Sequence, residues 1–222
     1  MVEIQNYMEN MVRRLRERFG QRLLYVGLQG SYLRGEATEG SDIDVMVVLN
    51  ELKVSDLDTY RQIKNAMEEP EKACGFICGK EDLVHWNPME ICHLLHTTKD
   101  CFGSLKPLVP EYTEEDVRNF VKMSVNNLYH ELCHRYIHGS REKNIAALPG
   151  TYRGVFFILQ NLYALRTGKF VQTKAEMLDV LDGDDREVMR LCMELKNAET
   201  YDFDGAYSLL FRWCQEKIRF LH

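Results

Sequence analysis

Two aspartates separated by one residue, Asp42 and Asp44, open an apolar run that continues Val45-Met46-Val47-Val48-Leu49. On a strand, residues i and i+2 point to one face, so these two carboxylates lie a few ångströms apart. Like charges so placed repel unless a cation lies between them. A hard divalent ion suits such oxygens: Mg²⁺ takes one or two protein carboxylates and completes its shell with water and substrate phosphates. Upstream, Leu23-Leu24-Tyr25-Val26-Gly27-Leu28 runs into Gly30-Ser31. A glycine there lets backbone N–H groups approach a phosphate, and the serine hydroxyl adds a donor. Arg34 supplies a positive charge for the same polyphosphate. Phosphate grip, charge balance and carboxylate pair therefore fall within one short segment. The dipeptide pattern taken by itself also suits a capped strand start or a solvated edge; the whole constellation does not.

The elements that must hold this segment are legible in the periodicity. Ile4, Tyr7, Met8, Met11, Val12, Leu15 and Phe19 recur at helical spacing, and Gly20 is a stop. Residues 23–28 and 42–49 read as buried strands. Ser55 and Asp58 form a capping pattern for a helix that Pro70 ends. Residues 74–86 are the remaining strand or hairpin, with Gly79-Lys80 as its turn. Asn87-Pro88 starts a helix. Gly103, Pro107 and Pro110 make the densest breaker cluster, which places a domain boundary between residues 103 and 104. Beyond it come helices opened by Thr113/Asp116, spanning Tyr152–Arg166, opened by Thr173/Glu176, and covering Arg186–Leu195 and Tyr207–Leu221. The expected class is α+β: residues 1–103 carry a small mixed sheet with flanking helices, and residues 104–222 form an all-α bundle.

Composition narrows the function. The chain of 222 residues is 45% hydrophobic and 28% charged, near the values of folded globular proteins, and its net charge is −6. The first 103 residues carry −5 of that charge and the remainder −1. Nucleic-acid platforms need a basic surplus, so no nucleic acid is expected as partner. No apolar run reaches the length of a bilayer span, and the charged N-terminal helix is unlike a secretory signal, so no membrane association is expected. Seven cysteines without a framework point to reduced thiols and a cytoplasmic location. Cys92-His93-x-x-His96 and Cys133-His134-x-x-x-His138 lack the Cys-x-x-Cys knuckle of structural zinc sites, and both lie on amphipathic helices. They read as core thiols with flanking histidines.

Gly30, Ser31, Arg34, Gly35, Ser41, Asp42 and Asp44 together resemble the signature of the DNA polymerase β-type nucleotidyltransferase superfamily. Residues 97–114 and 150–181 resemble the helical domain of streptomycin/spectinomycin-type aminoglycoside adenylyltransferases. The resemblance implies transfer of a nucleoside monophosphate, AMP from ATP, to a hydroxyl of a small molecule or a protein. It implies two Mg²⁺ ions on Asp42 and Asp44, and nucleotide contacts from Gly30, Ser31, Arg34, Ser41 and Lys174. The superfamily's third carboxylate, a metal ligand or base on a later strand, has no counterpart in Ala73-Cys74-Gly75-Phe76-Ile77-Cys78. Glu81 and Asp82 are the nearest candidates, ahead of Glu90. Gly150 stands where the aminoglycoside enzymes carry an acidic drug-binding residue, and Gln160 where they carry an ATP-contacting arginine, so resistance activity is not implied. The alternative is a degenerate relative that serves as a nucleotide sensor or antitoxin-like regulator.

Overall fold

A computed structural model describes residues 2–221, which divide into two compact units, Met1–Tyr112 and Thr113–His222. The first unit is built on a four-stranded mixed sheet in the order β3-β2-β1-β4. Helix α1 (Ile4–Phe19) ends at Gly20, as its periodicity predicts, and leads to β1 (Leu23–Leu28). A single turn, α2 (Gly30–Leu33), and a loop return the chain as β2 (Ile43–Leu49), antiparallel to β1 with Leu28 opposite Val45. Helix α3 (Val54–Asn65) then crosses back, and β3 (Ala73–Gly79) pairs in parallel with β2. The short α4 (Lys80–Val84), α5 (Pro88–His96) and edge strand β4 (Lys99–Phe102) complete the unit.

Strand alternation sorts the sheet's side chains onto two faces. Val26, Leu28, Val45 and Val47 pack against Met8, Met11 and Leu15 of α1 and Ile63 of α3. Tyr25, Met46 and Val48 face the other way and pack with Cys78, Leu83 and Leu105. Asp44 precedes Met46 by two residues and so belongs to this second face, at the end where β1 runs into α2.

Four sequence expectations change. Residues 74–86 are no hairpin: Asp82 Oδ2 accepts from the Gly79 N–H (3.0 Å), capping α4, and the strand continues into a helix. Helix α3 starts two residues early, with Asp56 rather than Asp58 accepting from the Lys53 N–H at 2.9 Å; Arg22 clamps the same carboxylate at 2.8 and 2.9 Å. Residues 104–112 stay with the sheet because Leu105, Leu108 and Val109 join the Tyr25/Met46 cluster, which moves the division to Tyr112/Thr113. Residues 99–102, on a segment without strand periodicity, pair with β1 as β4.

The second unit is helical throughout its regular structure: α6 (Glu114–His138), α7 (Arg141–Arg153), α8 (Val155–Thr167), α9 (Lys174–Val180), α10 (Gly183–Glu194) and α11 (Phe203–Phe220). Both predicted capping boxes, Thr113/Asp116 and Thr173/Glu176, are formed. Helix α7 is hidden in the sequence by Pro149-Gly150. Proline lacks the N–H that would bond the Ile145 carbonyl one turn earlier. The Tyr201 hydroxyl donates to that carbonyl instead.

Trp213, Tyr152 and Phe156 fill the core of this unit around one buried charge cluster. Asp185 accepts from Trp213 Nε1 (2.7 Å) and Arg166 (2.7 Å) and pairs with buried Lys217 at 2.8 Å. Burial by itself would raise the Asp185 pKa; Lys217, Trp213 and Arg166 together reverse this and hold it below the ordinary aspartate range. Its stabilisation is therefore complete above the unfolded pKa of about 3.9 and is lost as pH falls through the lowered folded value. Asp185→Ala leaves Lys217 uncompensated except by Glu216 (3.0 Å) and should cost about 3 kcal/mol or more in urea or thermal unfolding. The neighbouring pair Asp184–Arg212, with an arginine 61% exposed, should yield at most about 1 kcal/mol when Asp184 is replaced by alanine.

Candidate active site

Gly30, Ser31, Arg34, Asp42 and Asp44 lie at the junction of β1, α2 and β2. The Gln29 N–H donates to the Asp44 carbonyl at 2.9 Å, which ties the end of β1 to the start of β2. Gln29 Nε2 donates to Thr98 Oγ1 at 2.8 Å, and Thr98 in turn donates to the Leu94 carbonyl at 2.6 Å, so the end of α5 braces the same turn. Gly30 has φ +71°, a left-handed conformation that favours glycine. A β-carbon at this position would overlap Asp44 Oδ2 and lie 2.9 Å from its Cγ. The carboxylate thus occupies the volume that glycine leaves open, directly against the predicted phosphate turn. Ser31 is half-buried in the first turn of α2.

Asp42 is exposed just before β2, and Asp44 is half-buried within it. Burial raises the Asp44 pKa most; the Cys74 thiol opposes this with a hydrogen bond, the Asp42 charge adds to the rise, and Arg34 lowers it again. The net direction is upward. A carboxylate whose charge is disfavoured by burial and by a neighbouring carboxylate is the electrostatic setting that a cation relieves. Two carboxylates at a phosphate-accessible turn also match the protein ligand count of Mg²⁺. Among the described residues no group of three or more His, Cys, Asp or Glu side chains converges to hold a metal.

Cys74 is the residue that the sequence could not assign. The parallel register of β2 and β3 places it directly opposite Asp44, on the strand where the superfamily carries its third carboxylate. Gly75 permits the placement: it has φ +111°, and a β-carbon there would come within 2.6 Å of the Val45 backbone nitrogen. Glu81 and Asp82, the proposed substitutes, lie beyond the other end of β3. Gly79 pairs with Leu49, five positions from the Asp44–Cys74 pair, or about 16 Å at strand rise. Asp82 caps α4, and Glu81 is exposed one turn before His85. Glu90 accepts from Trp86 Nε1 at 2.5 Å.

Arg34 is largely buried, its side chain 10% exposed, and pairs with Glu36 at 3.0 Å. His93 of α5 shares its surroundings: burial, with the charges of Arg34 and His96, pushes the imidazole pKa down to about 4. His93 is therefore neutral at pH 7 and adds no second cation beside Arg34. The helical spacing of Cys92, His93 and His96 gave no sign of this arrangement; Cys92 is buried and hydrogen-bonded to Tyr112, while His93 lies within electrostatic reach of Arg34. The Ser41 Oγ accepts from the Thr38 N–H (2.8 Å) and closes the 38–41 turn ahead of Asp42. Lys174 belongs to the second unit, at the start of α9, with its ammonium 5.7 Å from the Phe156 ring centroid. Gln160 is fully buried there and donates to the Val171 carbonyl at 2.7 Å.

Residues 8–89, which contain the whole Gly-Ser and Asp-x-Asp arrangement, match the family model of the nucleotidyltransferase domain. The first unit is a nucleotidyltransferase domain. A protein adenylyltransferase, MntA, of Thermococcus cleftensis is 44% identical over 62 residues, 26% of this chain and 61% of that protein. A protein of Methanocaldococcus jannaschii, provisionally described as a protein adenylyltransferase, is 29% identical over 66 residues, 30% of this chain and 45% of that protein. The chain thus spans less than two thirds of the curated relatives it matches. Among solved structures, a spectinomycin adenyltransferase of Enterococcus faecialis, crystallised with ATP and spectinomycin, aligns with a TM-score of 0.60 and 14% identity. That alignment covers 97% of this chain and 99% of the other, so the likeness is one of fold and extends through both units. No helix among the described residues is long and apolar enough to cross a membrane.

The contact between Gly30 and Asp44 makes the nucleotidyltransferase domain sensitive at one point. Gly30→Ala must relieve both a left-handed backbone and the overlap with Asp44, at a cost of roughly 1–3 kcal/mol. It should lower the thermal midpoint of the chain, whereas Gly35→Ala, which meets nothing within 4 Å, should show only the backbone part of the loss in the same thermal unfolding measurement.

Proposed function

We propose that this chain is a metal-dependent nucleotidyltransferase that transfers AMP from ATP to a hydroxyl of a small-molecule or protein acceptor. The observation that carries the reading is the Asp44 carboxylate seated against Gly30 with Asp42 beside it, which joins a phosphate-binding turn to a carboxylate pair. Asp42 and Asp44 would hold Mg²⁺, which when bound supplies charge neutralisation for the polyphosphate and lowers the pKa of an attacking hydroxyl. The Gly30 and Ser31 region grips the terminal phosphates, and Arg34, with its neutral neighbour His93, offers a positive charge whose present partner is Glu36. Positioning and charge stabilisation provide most of the rate in such transfers. The acceptor stays open between two classes: the matched relatives are described as protein adenylyltransferases, and the structural neighbour was crystallised with a small drug.

Incubation with ATP labelled at the α-phosphate, Mg²⁺ and a protein or metabolite pool is the direct test. Label should pass to an acceptor with the wild-type chain, and Asp42→Asn/Asp44→Asn should abolish the transfer. Metal-dependent ATP binding that survives unchanged in the double variant would remove the site assignment.

A second reading, a nucleotide sensor that binds without transfer, is favoured by one observation: a thiol stands opposite Asp44 where a third carboxylate would act. Cys74→Asp separates the two. In a sensor with a degraded centre, restoring the acid should switch on label transfer from an undetectable level. In a working enzyme the wild type already transfers label, and the substitution changes its rate and tightens Mn²⁺ binding.

A further inference from the structure

The exposed side of α6 carries three histidines spaced by four residues, His130, His134 and His138, all open to solvent. At that spacing they stack along one helix face. The ring centroids of His134 and His138 are 4.7 Å apart and those of His130 and His134 are 6.0 Å apart. Metal–imidazole bonds of about 2.0–2.1 Å put each ring centroid about 3.2 Å from an ion, so two imidazoles side by side on a tetrahedral or octahedral ion have centroids about 4.5–5.2 Å apart. The His134–His138 pair falls inside that window and the His130–His134 pair outside it.

We infer that His134 and His138 form a two-imidazole site for a divalent transition-metal cation of the Zn²⁺ or Ni²⁺ type, separate from the carboxylate pair of the first unit. Imidazole nitrogen selects such borderline ions over Mg²⁺, which prefers oxygen. The pair lies in the last turns of a 25-residue helix, where the backbone carbonyls favour positive charge. The adjacent acid is engaged elsewhere: Glu131 accepts from Arg135 and from Thr151, both at 3.0 Å. Cys133 faces the opposite way, toward Tyr207 and Cys214. With no third protein ligand converging among the described residues, water completes the shell and the affinity belongs in the micromolar range. The knuckle-free spacing that argues against a structural zinc site therefore does not exclude a bidentate surface site.

The test is calorimetric titration of the full, untagged chain with Ni²⁺ at pH 7.5 in millimolar Mg²⁺, which keeps the carboxylate pair supplied with a hard ion. One saturating equivalent is expected. His134→Ala and His138→Ala should each weaken it about tenfold or more, and His130→Ala by less than about threefold, as the centroid distances require. Circular dichroism of each variant should match the wild type, since all three side chains are exposed. Absence of saturable Ni²⁺ binding, or equal affinity in the His134→Ala/His138→Ala double variant, would overturn the site. Equal losses in all three single variants would overturn the assignment to this pair.

Discussion

The first unit depends on a single steric fact: the Asp44 carboxylate sits where residue 30 would otherwise carry a β-carbon. With it go the left-handed Gly30, the sharp exit from β1 into α2, and the closeness of that turn to the Asp44 carboxylate. The backbone bond from Gln29 to Asp44 and the side-chain bond from Gln29 to Thr98 hold the geometry from two sides. A glycine here does more than permit a turn. It sets the distance between two kinds of chemistry, and no larger residue preserves it.

The two units keep their shape by different means. The sheet of the nucleotidyltransferase domain is covered on one face by α1 and α3 and on the other by Leu83, Leu105 and their neighbours, so apolar burial on both sides leaves the polar site at one strand end. The helical unit instead encloses Asp185 with Lys217 and Trp213 inside an apolar core, and Arg166 reaches the same carboxylate from the exposed side. A buried ion cluster adds little net stability over apolar packing, yet it penalises any arrangement that separates its members. Such a cluster selects one packing of α8, α10 and α11, the helices that contribute those four residues.

Cys74 and His93 give the site its individual character. A thiol stands opposite Asp44, and sulfur is a poorer ligand for a hard cation than a carboxylate oxygen. His93, its pKa lowered by burial and by the charges of Arg34 and His96, ties that arginine's surroundings to α5. Arg34 meets Glu36 in an ion pair at 3.0 Å, so its guanidinium already has an internal carboxylate.

Local patterns in the sequence already carried much of this. Helix α1 and its glycine stop, strands β1 and β2, the capping boxes of α6 and α9, and the Gly-Ser to Asp-x-Asp spacing are all short-range features, set by periodicity, caps and turn chemistry within a few residues. What failed was non-local. Strand β4 has no alternation because its identity comes from pairing with β1; α7 hides behind Pro149, whose lost bond is replaced by Tyr201 more than fifty residues away; and residues 104–112 look like a linker until Leu105 finds the sheet. The same division holds at the site. The Gly-Ser turn and the Asp-x-Asp pair were legible in residue types and spacing. That Cys74 faces Asp44, that His93 faces Arg34, and that Glu81 and Asp82 face neither was decided by the parallel register of β2 and β3 and by the packing of α5, because neighbours across a sheet are chosen by tertiary pairing and not by distance along the chain.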